Sequence, residues 1–120
     1  MGWLARSSQG RNQALSAAYG QWGAREPLVA AQNLIEMPPS SDRNFAINGF
    51  IRGLAPRAGE AAVNWAAEIS DPGMRQSAQI RAGRQFFRQD QEAARTWLTN
   101  SGLPQEAWTH VTGDRFYREE

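Results

Sequence analysis

Glu60-Ala61-Ala62-Val63-Asn64-Trp65 and Glu92-Ala93-Ala94-Arg95-Thr96-Trp97 are one phrase written twice, each followed seven residues later by a proline, Pro72 and Pro104. The offset, 92 less 60, is 32 residues, and sliding the chain against itself by that amount extends the match upstream. Arg11/Arg43/Arg75, Asn12/Asn44/Gln76, Ala14/Ala46/Ala78, Trp22/Leu54/Phe86 and Ala30/Ala62/Ala94 all fall in register. A fixed period of this size marks an array of like supersecondary units, each unable to bury its apolar face without a neighbour.

Within a unit the apolar spacing is helical. Ala14, Ala18 and Trp22 recur at i, i+4 and i+8 with Leu15 and Tyr19 alongside, predicting one stripe of an amphipathic helix. Gly23 ends it. Pro27 opens a second helix through Val29, Ala30, Leu34 and Met37, because a proline in the first turn removes only an N–H that had no partner. Ser40-Ser41-Asp42 supplies caps for a third, whose inward positions are Ala46, Ile47, Phe50, Ile51 and Leu54. The fourth is expected from about Arg57 or Glu60 to Ser70, with Ala62, Trp65, Ala66 and Ile69 on one side. Asp71-Pro72 caps and starts the fifth, carrying Ala78, Ala82 and Phe86. Gln89-Asp90-Gln91 leads into the sixth, with Ala93, Ala94, Trp97 and Leu98, which Ser101-Gly102 ends. Leu103-Pro104 opens a short last helix through Ala107, Trp108 and Val111.

The expected fold is therefore all-α, an α-α superhelix or solenoid of three helical hairpins with a C-terminal capping helix. The repeat domain spans 11–112, with units at about 11–42, 43–74 and 75–106, between a flexible leader at 1–10 and a frayed tail at 113–120. Alanine recurs where neighbouring helices must approach to about 8–10 Å, and the bulky residue beside it fills the space between hairpins. Gly49-x-x-x-Gly53 reads as a close crossing of two helices.

The consensus, Arg-x-x-Ala, a bulky residue, Asp/Glu-Pro, Ala-Ala-x-x-Trp and a terminal Pro, resembles tetratricopeptide-like helical repeats. It is similar above all to the alanine- and tryptophan-rich helical-hairpin arrays of uncharacterised bacterial proteins. The matching residues are Glu26-Pro27, Ala61-Ala62, Trp65-Ala66, Asp71-Pro72, Ala93-Ala94, Trp97-Leu98 and Leu103-Pro104, over roughly 11 to 112. Asn33 stands at the tryptophan position of the first unit, and Ala58-Gly59 and Asp90-Gln91 replace the acid-proline pair. The motif consists of packing residues, so the resemblance implies a fold and, by analogy of architecture, a protein-binding or scaffold role.

The 120 residues suffice for one modest core, and 41% hydrophobic with 21% charged residues is an ordinary globular balance. There is no cysteine, hence no disulfide and no thiolate metal site. A formal charge of +1 does not by itself imply a nucleic-acid or membrane partner. No apolar run is long enough to span a bilayer, and Met1 to Ser8 has neither a signal-peptide core nor a myristoylation pattern. The compartment is not readable.

Chemistry finds little support. His110 is the only histidine, and the paired acids Glu119-Glu120 and Asp90/Glu92 fall at a tail and a helix start, where acids are ordinary. No enzyme activity, cofactor or metal is expected.

Binding rests on arginine. Arg11/Arg43/Arg75 repeats with the fold, either bracing the junction by bonding the carbonyls that end the preceding helix, or pairing with Asp42 or Asp71, or forming an anion-binding strip for an acidic peptide. Arg81, Arg84 and Arg88 share one face of the fifth helix and, with Gln85 and Arg95, could meet phosphates or acidic side chains. The candidate partner-binding residues are thus Arg43, Arg75, Arg81, Arg84 and Arg88. The expected function is a non-enzymatic module holding a partner polypeptide in the groove lined by the first helices. The alternatives are a nucleic-acid-binding array using Arg81, Arg84 and Arg88, or a purely structural segment of a larger protein. A homodimer through the N-terminal hairpin, with Trp3 and Leu4, would cover the open end of the stack.

Overall fold

A computed structural model describes the backbone of residues 2–113 and the side chains of residues 12–113. It is all-helical, with no strand among the described residues: α1 (Gly2–Arg25), α2 (Pro27–Glu36), α3 (Ser41–Leu54), α4 (Gly59–Ala66), α5 (Pro72–Gln89), α6 (Gln91–Asn100) and α7 (Gln105–Thr112). The contacts of Trp3 and Leu4 and the tail beyond Gly113 lie outside the described residues.

Local chemistry sets most boundaries. Ser40 Oγ accepts the Arg43 N–H at 3.1 Å, Asp71 Oδ2 accepts that of Met74 at 2.8 Å, and Asp90 Oδ1 accepts that of Ala93 at 3.1 Å. Gly102 and Gly113 take the left-handed conformation, with φ of 80° and 74°, at the connection after α6 and the end of α7. Two boundaries differ from the sequence reading. The helix of α1 already begins at Gly2, because nothing before Arg25 lacks an N–H and a glycine inside a helix costs only about 1 kcal/mol. Meanwhile α4 stops at Ala66, where the Glu68 and Ile69 N–H groups turn back to Trp65 O and Ala66 O at 2.9 and 3.2 Å.

The odd-numbered helices form a continuous row, and the even-numbered ones lie against it, α2 on α1 and α3, α4 on α3 and α5, α6 on α5. The molecule measures 57 × 32 × 20 Å, two helices across its thinnest direction. Spacing along the row is not constant. At the α1–α3 crossing the backbones touch: a Cβ on Gly49 would land on the Ser16 carbonyl and one on Gly53 on that of Gly20, while the Ser16 hydroxyl donates to Phe45 O at 2.9 Å. One period later, Arg81 and Gln85 occupy the glycine positions, so α5 cannot approach α3 as α3 approaches α1 and packs chiefly on α4 instead.

The core runs through Leu34, Ile47, Phe50, Ile51, Val63 and Ile69, with Ala30, Ala62 and Ala94 sealed at equivalent points. Ala46 and Ala78 are buried as their register predicts, whereas Ala14 and Ala18 stay in water. No described unit lies on that side of α1, whose buried face is instead centred on Tyr19 and Gly23. Trp65 meets Phe50 edge-on at 5.5 Å between ring centroids, and Trp97 lies 6.2 Å from Phe86.

Residues 19/33, 51/65 and 83/97 are equivalent pairs, and their sizes compensate: Tyr19 with Asn33, Ile51 with Trp65, Gly83 with Trp97. The Tyr19 hydroxyl donates to Asn33 Oδ1, and a Cβ on Gly83 would lie 2.7 Å from Trp97 Cζ3. The asparagine at the first tryptophan position is thus matched by a tyrosine that reaches it.

Polar side chains pin the loops. Buried Asn44 donates to Ser70 Oγ at 2.9 Å and accepts the Ser70 N–H at 3.0 Å. Gln89 donates to Ala55 O at 2.7 Å and accepts the Gly59 N–H at 2.8 Å. At the C-terminal end, α7 covers the row: Leu103, Ala107 and Val111 are buried with Leu98, and Trp108 donates its indole N–H to Leu103 O at 3.3 Å.

Candidate functional site

The first three helices of the odd row and the helices against them carry opposite charge. Along α1, α3 and α5 the described side chains include Arg25, Arg43, Arg52, Arg75, Arg81, Arg84 and Arg88 against one acid, Asp42. The helices α2, α4 and α6 carry Glu36, Glu60 and Glu92 against one arginine, Arg95, with Glu26 just before α2 and Glu68 just beyond α4. A formal charge of +1 conceals this separation.

The five arginines singled out from the sequence fall into two groups. Arg43 and Arg75 are half-buried braces: Arg43 Nε donates to Leu34 O at 3.0 Å and Arg75 Nη1 to Ile69 O at 3.2 Å. Arg43 holds the end of α2, where unpaired carbonyls and the helix dipole favour a cation, and Arg75 holds the turn that follows α4. Equivalent positions in the repeat do equivalent structural work here.

Arg81 and Arg84 are brought together with a third residue, Arg52 of α3. Arg81 Nη1 donates to Asn48 Oδ1 at 3.0 Å, tying α5 to α3, and Arg84 Nε donates to the His110 carbonyl at 2.7 Å, tying α5 to α7. Burial, and then the guanidiniums of Arg52 and Arg84, push Arg81 below the usual arginine value. The dominant charges that Arg81 feels are therefore of its own sign. Arg88 is exposed in the last turn of α5, where a cation suits the helix dipole. Arg95 lies apart on α6, its guanidinium 5.1 Å from the Phe87 ring centroid.

Arg52 stands in no motif of its own, although the 32-residue register pairs it with Arg84. Its neighbour Asn48 has no repeated counterpart and becomes visible only through the helix crossing. Two guanidiniums fixed by hydrogen bonds, each with N–H groups to spare, and an exposed third beside them can accept carboxylates or phosphates in a forked geometry.

A second concave surface, a groove of about 740 Å³, opens between α6 and α7 and is lined by Leu98, Trp108, Thr109 and Thr112, with Arg95 and Glu106 as its charges. Among the described residues no group of three His, Asp or Glu side chains could hold a metal ion, and no helix is long and apolar enough to cross a membrane. Comparison of the chain with family profiles, curated proteins and solved structures finds no match.

Proposed function

We propose that this chain is a non-enzymatic interaction module: a short superhelical stack of hairpins, of tetratricopeptide-like kind, that holds a partner polypeptide along its odd-helix row. The observation that carries the reading is the charge separation, with Arg52, Arg81 and Arg84 converging on one surface. Acidic side chains of a partner would relieve a repulsion that the folded chain leaves uncompensated. Nucleic acid is the second reading, favoured by the same arginines. Three converging guanidiniums fall short of the roughly 6–10 phosphate contacts typical of duplex binders, so polypeptide is preferred. Ala14 and Ala18, in water on α1, mark the end of the row where a second copy would add, which supports a homodimer through the N-terminal hairpin.

The test is fluorescence anisotropy with a labelled peptide of alternating glutamate and leucine. Binding to the wild type should weaken about tenfold or more in an Arg52→Gln/Arg84→Gln variant. Absence of binding removes the polypeptide reading. An oligonucleotide that binds with a salt slope near that of six phosphates would replace it with the nucleic-acid one.

A further inference from the structure

The outward face of α2 is apolar where the same face of its sister helices is not. Leu28 is 85% exposed, Val29 51% and Ile35 62%, while Ala30 and Leu34 on the opposite side of the helix are sealed. The 32-residue register sets Leu28 against Glu60 and Glu92, Gln32 against Asn64 and Thr96, and Ile35 against Ala67 and Thr99. Neither of the other two copies carries a large apolar residue at these points, so the fold does not require one. Leu28 and Ile35 lie seven residues apart on one stripe, two turns of helix.

Beside the stripe a groove of about 380 Å³ separates α2 from α4, lined by Ile35, Arg43, Asn64, Trp65 and Glu68. Of the two basic residues nearby, Arg43 is half-buried with its Nε on Leu34 O, and Arg25 is exposed at the end of α1. The exposed acids Glu26, Glu36 and Glu68 outnumber them around the stripe.

We propose that this surface docks an amphipathic helix of a partner protein, one that carries arginine or lysine beside its apolar stripe. A stripe of two turns accepts the i, i+3/i+4, i+7 ladder of such a helix, and the flanking acids choose its charge. A second copy fits poorly, because two-fold pairing of α2 on α2 brings Glu26 and Glu36 of each copy together. An anionic bilayer is repelled for the same reason. This interface is separate from the arginine surface and does not depend on it.

The probe is a fluorescein-labelled synthetic helix with leucine at every third or fourth position and arginine on its flanks, alongside a twin with glutamate in place of arginine. The wild type should bind the arginine helix. A Leu28→Glu/Ile35→Thr variant, given residues that α6 already carries at these positions, should bind about tenfold more weakly or worse with its melting temperature unchanged. An Arg52→Gln/Arg84→Gln variant should bind as the wild type does, which separates failure here from failure of the arginine site. The inference is overturned if the wild type does not bind, if it prefers the glutamate twin, or if the α2 variant binds equally well. It is likewise overturned if sedimentation equilibrium shows a wild-type dimer that the α2 variant dissolves, since the occupant is then a second copy.

Discussion

The two ends of the helical row are finished differently. At one end α7 and the turn before it lay Leu103, Ala107 and Val111 over α5 and α6, and these side chains are buried with Leu98. At the other, Ala14 and Ala18 of α1 and the outer face of α2 remain in water, although their counterparts further along the chain are buried or polar. The lesson is that a repeated residue has no fixed environment: a neighbour creates it, and the first unit lacks the described neighbour that the second and third have.

The strongest way to break this comparison is at the crossing that joins the first unit to the second. Gly49→Ala or Gly53→Ala places a methyl on the backbone of α1, and each should destabilise by more than about 3 kcal/mol in urea unfolding, since neither helix can yield locally. Gly73→Ala in the first turn of α5, where a Cβ would meet only Asp71 Oδ2 at 3.6 Å, should be neutral or raise stability by up to about 1 kcal/mol. Equal costs at the two places would mean that α1 is not held against α3 as described.

A direct comparison of equivalent positions has a smaller effect. Ala46→Leu overpacks a sealed site and should cost about 1–3 kcal/mol, whereas Ala14→Leu, at the same register in water, should stay within about 0.5 kcal/mol of the wild type. A large loss at Ala14 would show that α1 is covered in solution, and concentration-dependent melting would then identify a second copy as the cover.

The smallest effect sharpens the first hairpin alone. Burial raises the Tyr19 phenol above its ordinary 10.0, so the folded chain keeps that proton to higher pH than the unfolded chain does. The contribution is intact below about pH 10 and is lost as pH rises from there through the raised folded value. Tyr19→Phe should lower stability at neutral pH by about 1 kcal/mol through loss of the hydroxyl bond to Asn33, and should lack this part of the alkaline decline. An unchanged alkaline limb would place the phenol in water.

Much of this architecture is legible in residues that act locally. Ser40, Asp71 and Asp90 cap their helices because a side-chain oxygen three residues from an orphan N–H needs nothing further from the fold. The Gly49/Gly53 spacing announces a close crossing, and Arg43 and Arg75 announce a brace. Less legible is the arginine cluster. Arg81 and Arg84 are neighbours on one helix face, but Arg52 joins them only because α3 lies beside α5, and Asn48 only because Arg81 crosses to it.

The amino-acid order alone thus determined the seven helices of the described residues, the caps at Ser40 and Asp71 and the alternation of small and large residues, since each follows from interactions within a few turns of chain. Tertiary structure decided which copies of a repeated residue are covered, how far apart successive units stand, and which charges face each other. These depend on pairs distant in sequence: Gly49 and Gly53 admit the α1 backbone, while Arg81 and Gln85, at the same register, hold α5 away. A period in sequence constrains each unit, and the side chains at the crossings set the distance between them.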